Sequence, residues 1–223
     1  MNYEEFRKIL TPYLKGAYVF YGDEDYLKRD AVSRARKAVI QDESLKDFCH
    51  CVIHEADVKS AKEELSYPSM FSNDRLIELY GVEPDKMKES DFSELIEIMK
   101  GAECLFIVYI DPGKLSEFER AKPKKEKTDK KKDADSSDIS EEESKKSRFQ
   151  RLSEAGVLVE FKRQDQRKLV RWIARHFEVE NIVISPDTAS YILSVCSQDM
   201  FVLKNEISKL LSFAKAKGIN EIL

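Results

Sequence analysis

No stretch of this chain approaches the ~20 consecutive apolar residues that a helix needs to cross a bilayer, so no membrane span is expected and the sequence reads as that of a soluble protein. The opening, Met1-Asn2-Tyr3-Glu4-Glu5-Phe6-Arg7-Lys8, lacks the basic-then-apolar order of a secretion signal, which leaves the cytoplasm as the expected location. Cysteine is scarce. Four in 223 residues are too few for a disulfide framework, and most stand inside apolar stretches, as reduced buried thiols do. An excess of positive charge is also missing: the formal net charge is -4. A dedicated nucleic-acid-binding domain usually has a pI above ~9, so any DNA contact must be local or shared with partners.

What is present is enough apolar residue for a sizeable core, 42% against 36% charged. At ~150 residues per domain the length suits one large domain with a small companion. Phe6, Ile9, Leu10, Tyr13 and Leu14 mark one stripe of an amphipathic helix over 2–15. Ala17-Tyr18-Val19-Phe20-Tyr21 is apolar on consecutive residues, the pattern of a strand buried on both faces of a parallel sheet. Gly22-Asp23-Glu24-Asp25 then turns the chain into a helix with Leu27, Ala31, Ala35 and Ala38 on one face. The alternation continues with strands near 48–53, 76–80, 104–110 and 157–161 and helices over 58–65 and 92–99. Such alternation predicts right-handed crossovers and a mostly parallel α/β sheet with helices on both faces.

The segment 121–146 reads AKPKKEKTDKKKDADSSDISEEESKK and has almost nothing to bury, so a disordered or mobile charged insertion is expected there. Its lysines compete between non-specific phosphate contacts and a self-neutralising solvated loop; without aromatics, the loop is the favoured reading. From Asp165 onward the period becomes purely helical. Leu169, Trp172, Ile173 and Phe177 form one stripe, Tyr191, Ile192 and Val195 a second, and Leu203, Ile207, Leu210, Leu211 and Ala214 a third. Ser185-Pro186 reads as a helix start and Gly218 as a stop. The predicted organisation is an α/β domain over 1–163 and a three-helix domain over 164–223.

A parallel sheet followed by helices invites comparison with nucleotide-triphosphate motors, and the turn after the first strand tests it. A P-loop needs glycines whose backbone N–H groups wrap the phosphates, then Lys and Ser/Thr for charge and Mg²⁺. Here the turn is Gly22-Asp23-Glu24-Asp25, without that Lys and Ser/Thr pair; its carboxylates satisfy the helix dipole themselves and would repel a triphosphate. Gly113-Lys114 lacks the upstream glycine and is followed by Leu115, so it reads as a turn. Asp111 ends an apolar run as a Walker-B Asp would, but Pro112 follows, as in a strand-terminating turn. Cys49, His50, Cys51 and His54 lack the paired-knuckle spacing of a zinc site; on a strand, alternation would separate His50 from the two cysteines. His176 stands apart, and no nucleophile, His and Asp set assembles. No catalytic residues, no cofactor and no metal are expected.

Tyr67-Pro68-Ser69-Met70-Phe71-Ser72-Asn73-Asp74 places two large apolar residues in a polar break between a charged helix and a strand. Met70 and Phe71, flanked by Pro68, Ser69 and Ser72, read either as core or as an anchor presented to a partner's pocket.

Several of these residues carry a family likeness. Tyr18-Val19-Phe20-Tyr21-Gly22-Asp23-Glu24-Asp25-Tyr26-Leu27, Leu169-Val170-Arg171-Trp172-Ile173, Ser185-Pro186 and Leu203-Lys204-Asn205-Glu206-Ile207 together resemble the delta subunit of the bacterial DNA polymerase III clamp loader. The resemblance implies an AAA+-like (RecA-type) domain without nucleotide binding, followed by a three-helix lid. It implies a subunit of the DNA-directed DNA polymerase holoenzyme that has no catalysis of its own. Its partners would be the sliding clamp (beta subunit), the gamma/tau and delta-prime subunits and primer-template DNA, with no membrane. It implies too that the pair at Met70 and Phe71, more familiar as Leu-Phe, enters a hydrophobic pocket of the clamp and holds an interface open while neighbouring motor subunits hydrolyse ATP. Methionine for leucine conserves volume. The 121–146 insertion lies outside that pattern, and the collar domain that follows the lid in the family is missing from this sequence, as in a fragment. Three alternatives stay open: an active AAA+-type NTPase with an unusual phosphate site, a nucleic-acid-binding adaptor using the lysines between Lys122 and Lys132, and another Walker-less loader subunit. The absent zinc-binding cysteine cluster of the motor relatives favours delta over the last.

Overall fold

The computed structural model describes residues 1–67, 75–112, 114 and 147–222. The chain divides into two compact units, Met1–Lys162 and Arg163–Leu223.

In the first unit, helix α1 (Tyr3–Ile9) opens on a reciprocal cap: the Asn2 side chain accepts from the Glu5 N–H, and the Glu5 carboxylate accepts from the Asn2 N–H. It is shorter than the apolar stripe predicts. Leu10 is already extended and Pro12 follows, which disfavours helical backbone before it; Tyr13, expected on the buried face, is 81% exposed. Strand β1 (Gly16–Tyr21) and helix α2 (Asp25–Val39) follow, then a short α3 (Lys46–Cys49), β2 (His50–Ile53), α4 (Val58–Ser66), β3 (Leu76–Leu79), α5 (Glu89–Lys100) and β4 (Leu105–Tyr109). The unit closes with α6 (Arg148–Ala155) and β5 (Val157–Glu160). The strand expected from Phe48 begins only at His50, because Lys46–Cys49 close a helical turn that buries Cys49. Cys49 and Cys51 therefore do not share a strand face.

The five strands are all parallel in the order β2-β3-β4-β1-β5. Consecutive apolar residues in β1 and β4 follow from this arrangement, since both faces are covered. Ala17, Val19, Ile77, Leu79, Phe106 and Val108 face a core built with Val58 and Ala61 of α4, Phe92, Leu95 and Met99 of α5, and Leu152 of α6. On the opposite face Phe6 of α1 packs edge-on against Tyr18 and Phe20, at centroid distances of 5.4 and 5.0 Å. The chain leaves β1 toward the β2 edge, whereas after β4 it crosses over β1 to reach β5. The carboxyl ends of β1 and β4 are therefore the topological switch point, where open α/β sheets place their ligands.

The second unit contains α7 (Gln166–Val179), α8 (Pro186–Val195) and α9 (Met200–Lys217). Asp165, Ser185 and Asp199 each cap one of these helices with a side-chain oxygen, Pro186 takes the first turn of α8, and Gly218 ends α9 in a left-handed conformation. Leu169, Ile173, Phe177, Ala189, Leu203 and Ile207 are buried. The α8 stripe departs from expectation: Ala189, Ile192 and Leu193 face inward, while Tyr191 and Val195 are about two-thirds exposed, at 67% and 68%. A parallel pair of two-residue strands, β6 (Val183–Ile184) and β7 (Glu221–Ile222), also joins this unit. Two residues carry too little periodicity to announce a strand. The charged stretch 121–146 lies outside the described residues, and among those described no helix is long and apolar enough to cross a membrane.

Candidate functional site

The turn after β1 sits at the switch point and is closed by its own chain. Gly22 has φ +118°, and a Cβ there would meet the Phe161 carbonyl oxygen at 2.3 Å. The Phe161 N–H donates to Tyr21 O (2.8 Å), and the Phe161 carbonyl accepts from the Glu24 N–H (3.1 Å). A backbone donor that could face a phosphate is thereby bonded to the strand-end loop. Glu24 itself is buried.

Lys28 is the residue that reading this turn from sequence overlooked. It stands six positions after Gly22, the offset of the lysine in G-x-x-x-x-G-K-[ST], although Leu27 replaces the last glycine and Arg29 the Ser/Thr. That spacing was the available signal. In the fold, α2 turns Lys28 inward with the buried face of Leu27, Ala31 and Ala35. Its side chain is 0% exposed; Nζ donates to the Ile110 carbonyl at 2.8 Å, lies 3.6 Å from Asp25 Oδ1 and sits 4.6 Å from the Tyr109 ring centroid. Burial pulls its pKa down, and the charge and hydrogen bond of Asp25 pull it back up. Asp25 also accepts from Arg29 Nε at 3.0 Å and from the Tyr109 hydroxyl. With the lysine consumed internally, Gly22 sealed by backbone and Asp23 and Asp25 at the helix start, these residues do not fit a nucleoside triphosphate.

A polar chain runs from this turn past the carboxyl ends of β4 and β3 and back to the first residue of β2. The Tyr109 ring packs on Tyr80 at 4.7 Å, the Tyr80 hydroxyl donates to Glu78 at 2.6 Å, and the 3% exposed Glu78 lies 2.6 Å from His50 Nε2. His54 stacks on Tyr80. His50 and His54 both belong to this network, and His176 bonds the Trp172 carbonyl on α7 through Nδ1. Among the described residues no His, Cys, Asp and Glu group is arranged to hold a metal ion.

Burial first, then the hydrogen bond to a carboxylate, pushes the Tyr80 and Tyr109 phenols well above their ordinary value. Both hold their protons more tightly in the folded chain than in the unfolded one. Their contribution to stability is therefore complete below about pH 10 and is lost as pH rises through the folded values. Lys28 acts in the opposite sense, since a lowered folded value means stability recovered as pH rises through it. Between pH 9 and 11, chemical unfolding of a Tyr80→Phe/Tyr109→Phe variant is expected to lose stability less steeply than the wild type. Equal slopes would show that these phenols are not the source.

Met70 and Phe71, with Pro68, Ser69 and Ser72, lie outside the described residues. Their anchors do not. Arg75, at the start of β3, donates to the Glu64 carbonyl (3.1 Å), the Tyr67 carbonyl (2.7 Å) and the Glu64 carboxylate (3.1 Å). It satisfies the open carbonyls at the end of α4 and ties the two ends of the 68–74 connection together. No local pattern around Arg75 marks this role in the sequence, where the strand is expected from position 76. Lys114 pairs with Glu83.

A search of curated proteins finds no match. Among solved structures, the chain is similar to the Bacillus subtilis DNA clamp loader delta protein, at 18% identity and TM-score 0.58 over 99% of this chain and 58% of that one. It thus spans less than two-thirds of that protein's length. Domain III of the Thermotoga maritima replication initiation protein DnaA matches at 17% identity and TM-score 0.50, over 99% of this chain and 84% of that one. The likeness is one of fold, AAA+-like, in agreement with the strand order. The family model described as DNA polymerase III, delta subunit, matches residues 18–134, just over half the sequence. The chain therefore belongs to the DNA polymerase III delta subunit family.

Proposed function

We propose that this chain binds and opens the sliding clamp for loading on primed DNA, without binding ATP itself. The observation that carries this reading is the occupied switch point: an AAA+-like sheet whose phosphate turn is filled by its own lysine is suited to a mechanical part rather than a motor. Family membership and the likeness to a clamp loader delta protein support the same role. In this reading Met70 and Phe71 enter a hydrophobic pocket of the clamp, and Arg75 keeps the ends of their segment at a set separation on α4 and β3. Binding energy spent preferentially on a distorted clamp interface then holds the gap open. Gamma/tau and delta-prime are its loader partners, neighbouring motor subunits supply ATP hydrolysis, the helices of the second unit form the lid, and primer-template DNA is engaged by the assembled complex.

The test is titration of the chain with the sliding clamp of the same organism, comparing wild type with Met70→Ala/Phe71→Ala, with thermal unfolding followed in parallel. Loss of binding by a folded variant supports the reading. Absence of wild-type binding overturns it, and equal binding by both keeps the partner and rejects the site. A fluorescent ATP analogue is expected to give no saturable binding up to millimolar concentration.

A further inference from the structure

The outward side of α7 carries Arg167, Arg171 and Arg175 at a spacing of four residues, directly opposite the buried Leu169, Ile173 and Phe177. Residues four apart share a face and rise about 6 Å along the axis, so the backbone positions of the three arginines span about 12 Å along one side of the helix. All three residues are exposed, and among the described residues none makes an ion pair with a carboxylate. The Arg171 Nε donates to the Arg167 carbonyl at 3.3 Å, which lays that side chain along the helix. Lys168, on the next row, reaches Asp165 at 3.9 Å. Glu178 and Glu180 lie at the far end of the helix, where Glu180 is engaged by Lys215.

This pattern weakens the helix it sits on. Like charges four residues apart repel, and Arg167 and Lys168 stand in the first turn, where the helix dipole disfavours cations. The same unit shows the ordinary alternative on α9, where Lys209 is paired with Glu206 and Lys215 with Glu180. The α7 row is left without such compensation. Guanidinium forks match phosphate oxygens in a planar, bidentate way, and evenly spaced forks on a rigid rod suit a regularly spaced polyanion better than an irregular acidic surface. Duplex DNA is such a polyanion, with one charge per about 1.7 Å of axis.

We infer that Arg167, Arg171 and Arg175 form a contact surface for the phosphate backbone of duplex DNA, independent of sequence and separate from the proposed clamp contact. The inference does not rest on clamp binding. Trp172, the one tryptophan of the chain, adjoins the row: it follows Arg171 directly, lies one turn before Arg175 and packs on His176 at 4.1 Å. Its fluorescence therefore reports occupancy of this face.

The experiment uses the full chain, a labelled duplex oligonucleotide read by anisotropy, and Trp172 emission in the same titration. Three phosphate contacts imply that affinity falls about 40-fold between 50 and 200 mM salt. An Arg167→Gln/Arg171→Gln/Arg175→Gln variant should bind at least 10-fold more weakly at 50 mM salt and lose about 2 to 3 from the magnitude of the log–log salt slope. The corresponding triple Arg→Lys variant should keep most of that slope. A Lys209→Gln/Lys215→Gln/Lys217→Gln variant, which removes the same charge from α9, should leave the Trp172 response unchanged. The inference is overturned if the triple Gln variant keeps the wild-type slope, if wild type shows no duplex binding at 50 mM salt, or if Trp172 responds to polyglutamate and not to DNA.

Discussion

Truncating Met70 and Phe71 together is expected to weaken binding to the sliding clamp by about 4 kcal/mol, roughly a thousandfold in Kd, since interface anchors cost at least 2 kcal/mol each when removed. The larger share should come from Phe71→Ala, because a phenyl ring contributes rigid apolar area that loses little rotamer freedom on binding. Met70→Leu should change the affinity by less than about 1.5 kcal/mol, since the swap conserves volume. Calorimetric titration separates these outcomes. A double variant that binds as tightly as wild type would remove Met70 and Phe71 from the contact, and a Met70→Leu variant as weak as the double variant would contradict the pocket-filling account. Parallel thermal unfolding distinguishes a lost contact from a lost fold.

Gly22→Ala is expected to be the most damaging single change in the first unit. Two costs coincide at this position. The φ of +118° is one that side-chain-bearing residues rarely adopt, and the added carbon would stand 2.3 Å from the Phe161 carbonyl oxygen. That oxygen cannot retreat freely, because it accepts from Glu24 while the Phe161 N–H is held by Tyr21. A loss of about 3–5 kcal/mol follows, or a fall of roughly 10 °C in Tm at the 2–4 °C per kcal/mol of domains this size. Gly16→Ala is the internal control, with a similar φ of +95° but nothing within 4 Å of the new carbon. It should cost about 1–2 kcal/mol, the backbone strain alone. Equal midpoints for the two variants would show that the closure of Gly22 on Phe161 is not rigid, and the argument that this turn is sealed would fall with it.

The same turn shows how far local pattern carries. The carboxylates after Gly22 are readable in order along the chain, and their repulsion of a phosphate needs no coordinates. The fate of Lys28 does. Its offset from Gly22 is visible, but whether a lysine seven residues into a turn reaches outward to an anion or inward to Ile110 O depends on which face of α2 packs on the sheet. The sheet also brings Tyr109, 81 residues away in sequence, under its ammonium group. Arg75 is a similar case. Nothing near it in sequence marks it as the clasp of α4 until the parallel crossover brings Glu64 and Tyr67 back beside the start of β3.

By itself, then, the sequence determined what depends on neighbours a few residues apart. The consecutive apolar residues of β1 and β4 required a sheet covered on both faces. Ser185-Pro186 required a helix start, and the row of arginines on α7 follows from a four-residue spacing alone. Its errors have the same origin: the α1 stripe continued on paper past the point where Pro12 stops the helix, and Tyr191 and Val195 matched a helical period that the packing of Ala189, Ile192 and Leu193 set differently. Only the tertiary structure decided the strand order β2-β3-β4-β1-β5, the seal of Gly22 against Phe161, the polar chain from His50 to Lys28, and which charged groups found partners. The strand pairings, Gly22 with Phe161, His50 with Glu78 and Lys28 with Ile110 join residues tens of positions apart, whose meeting is set by how helices and strands bury their apolar faces together, and no local period encodes that choice.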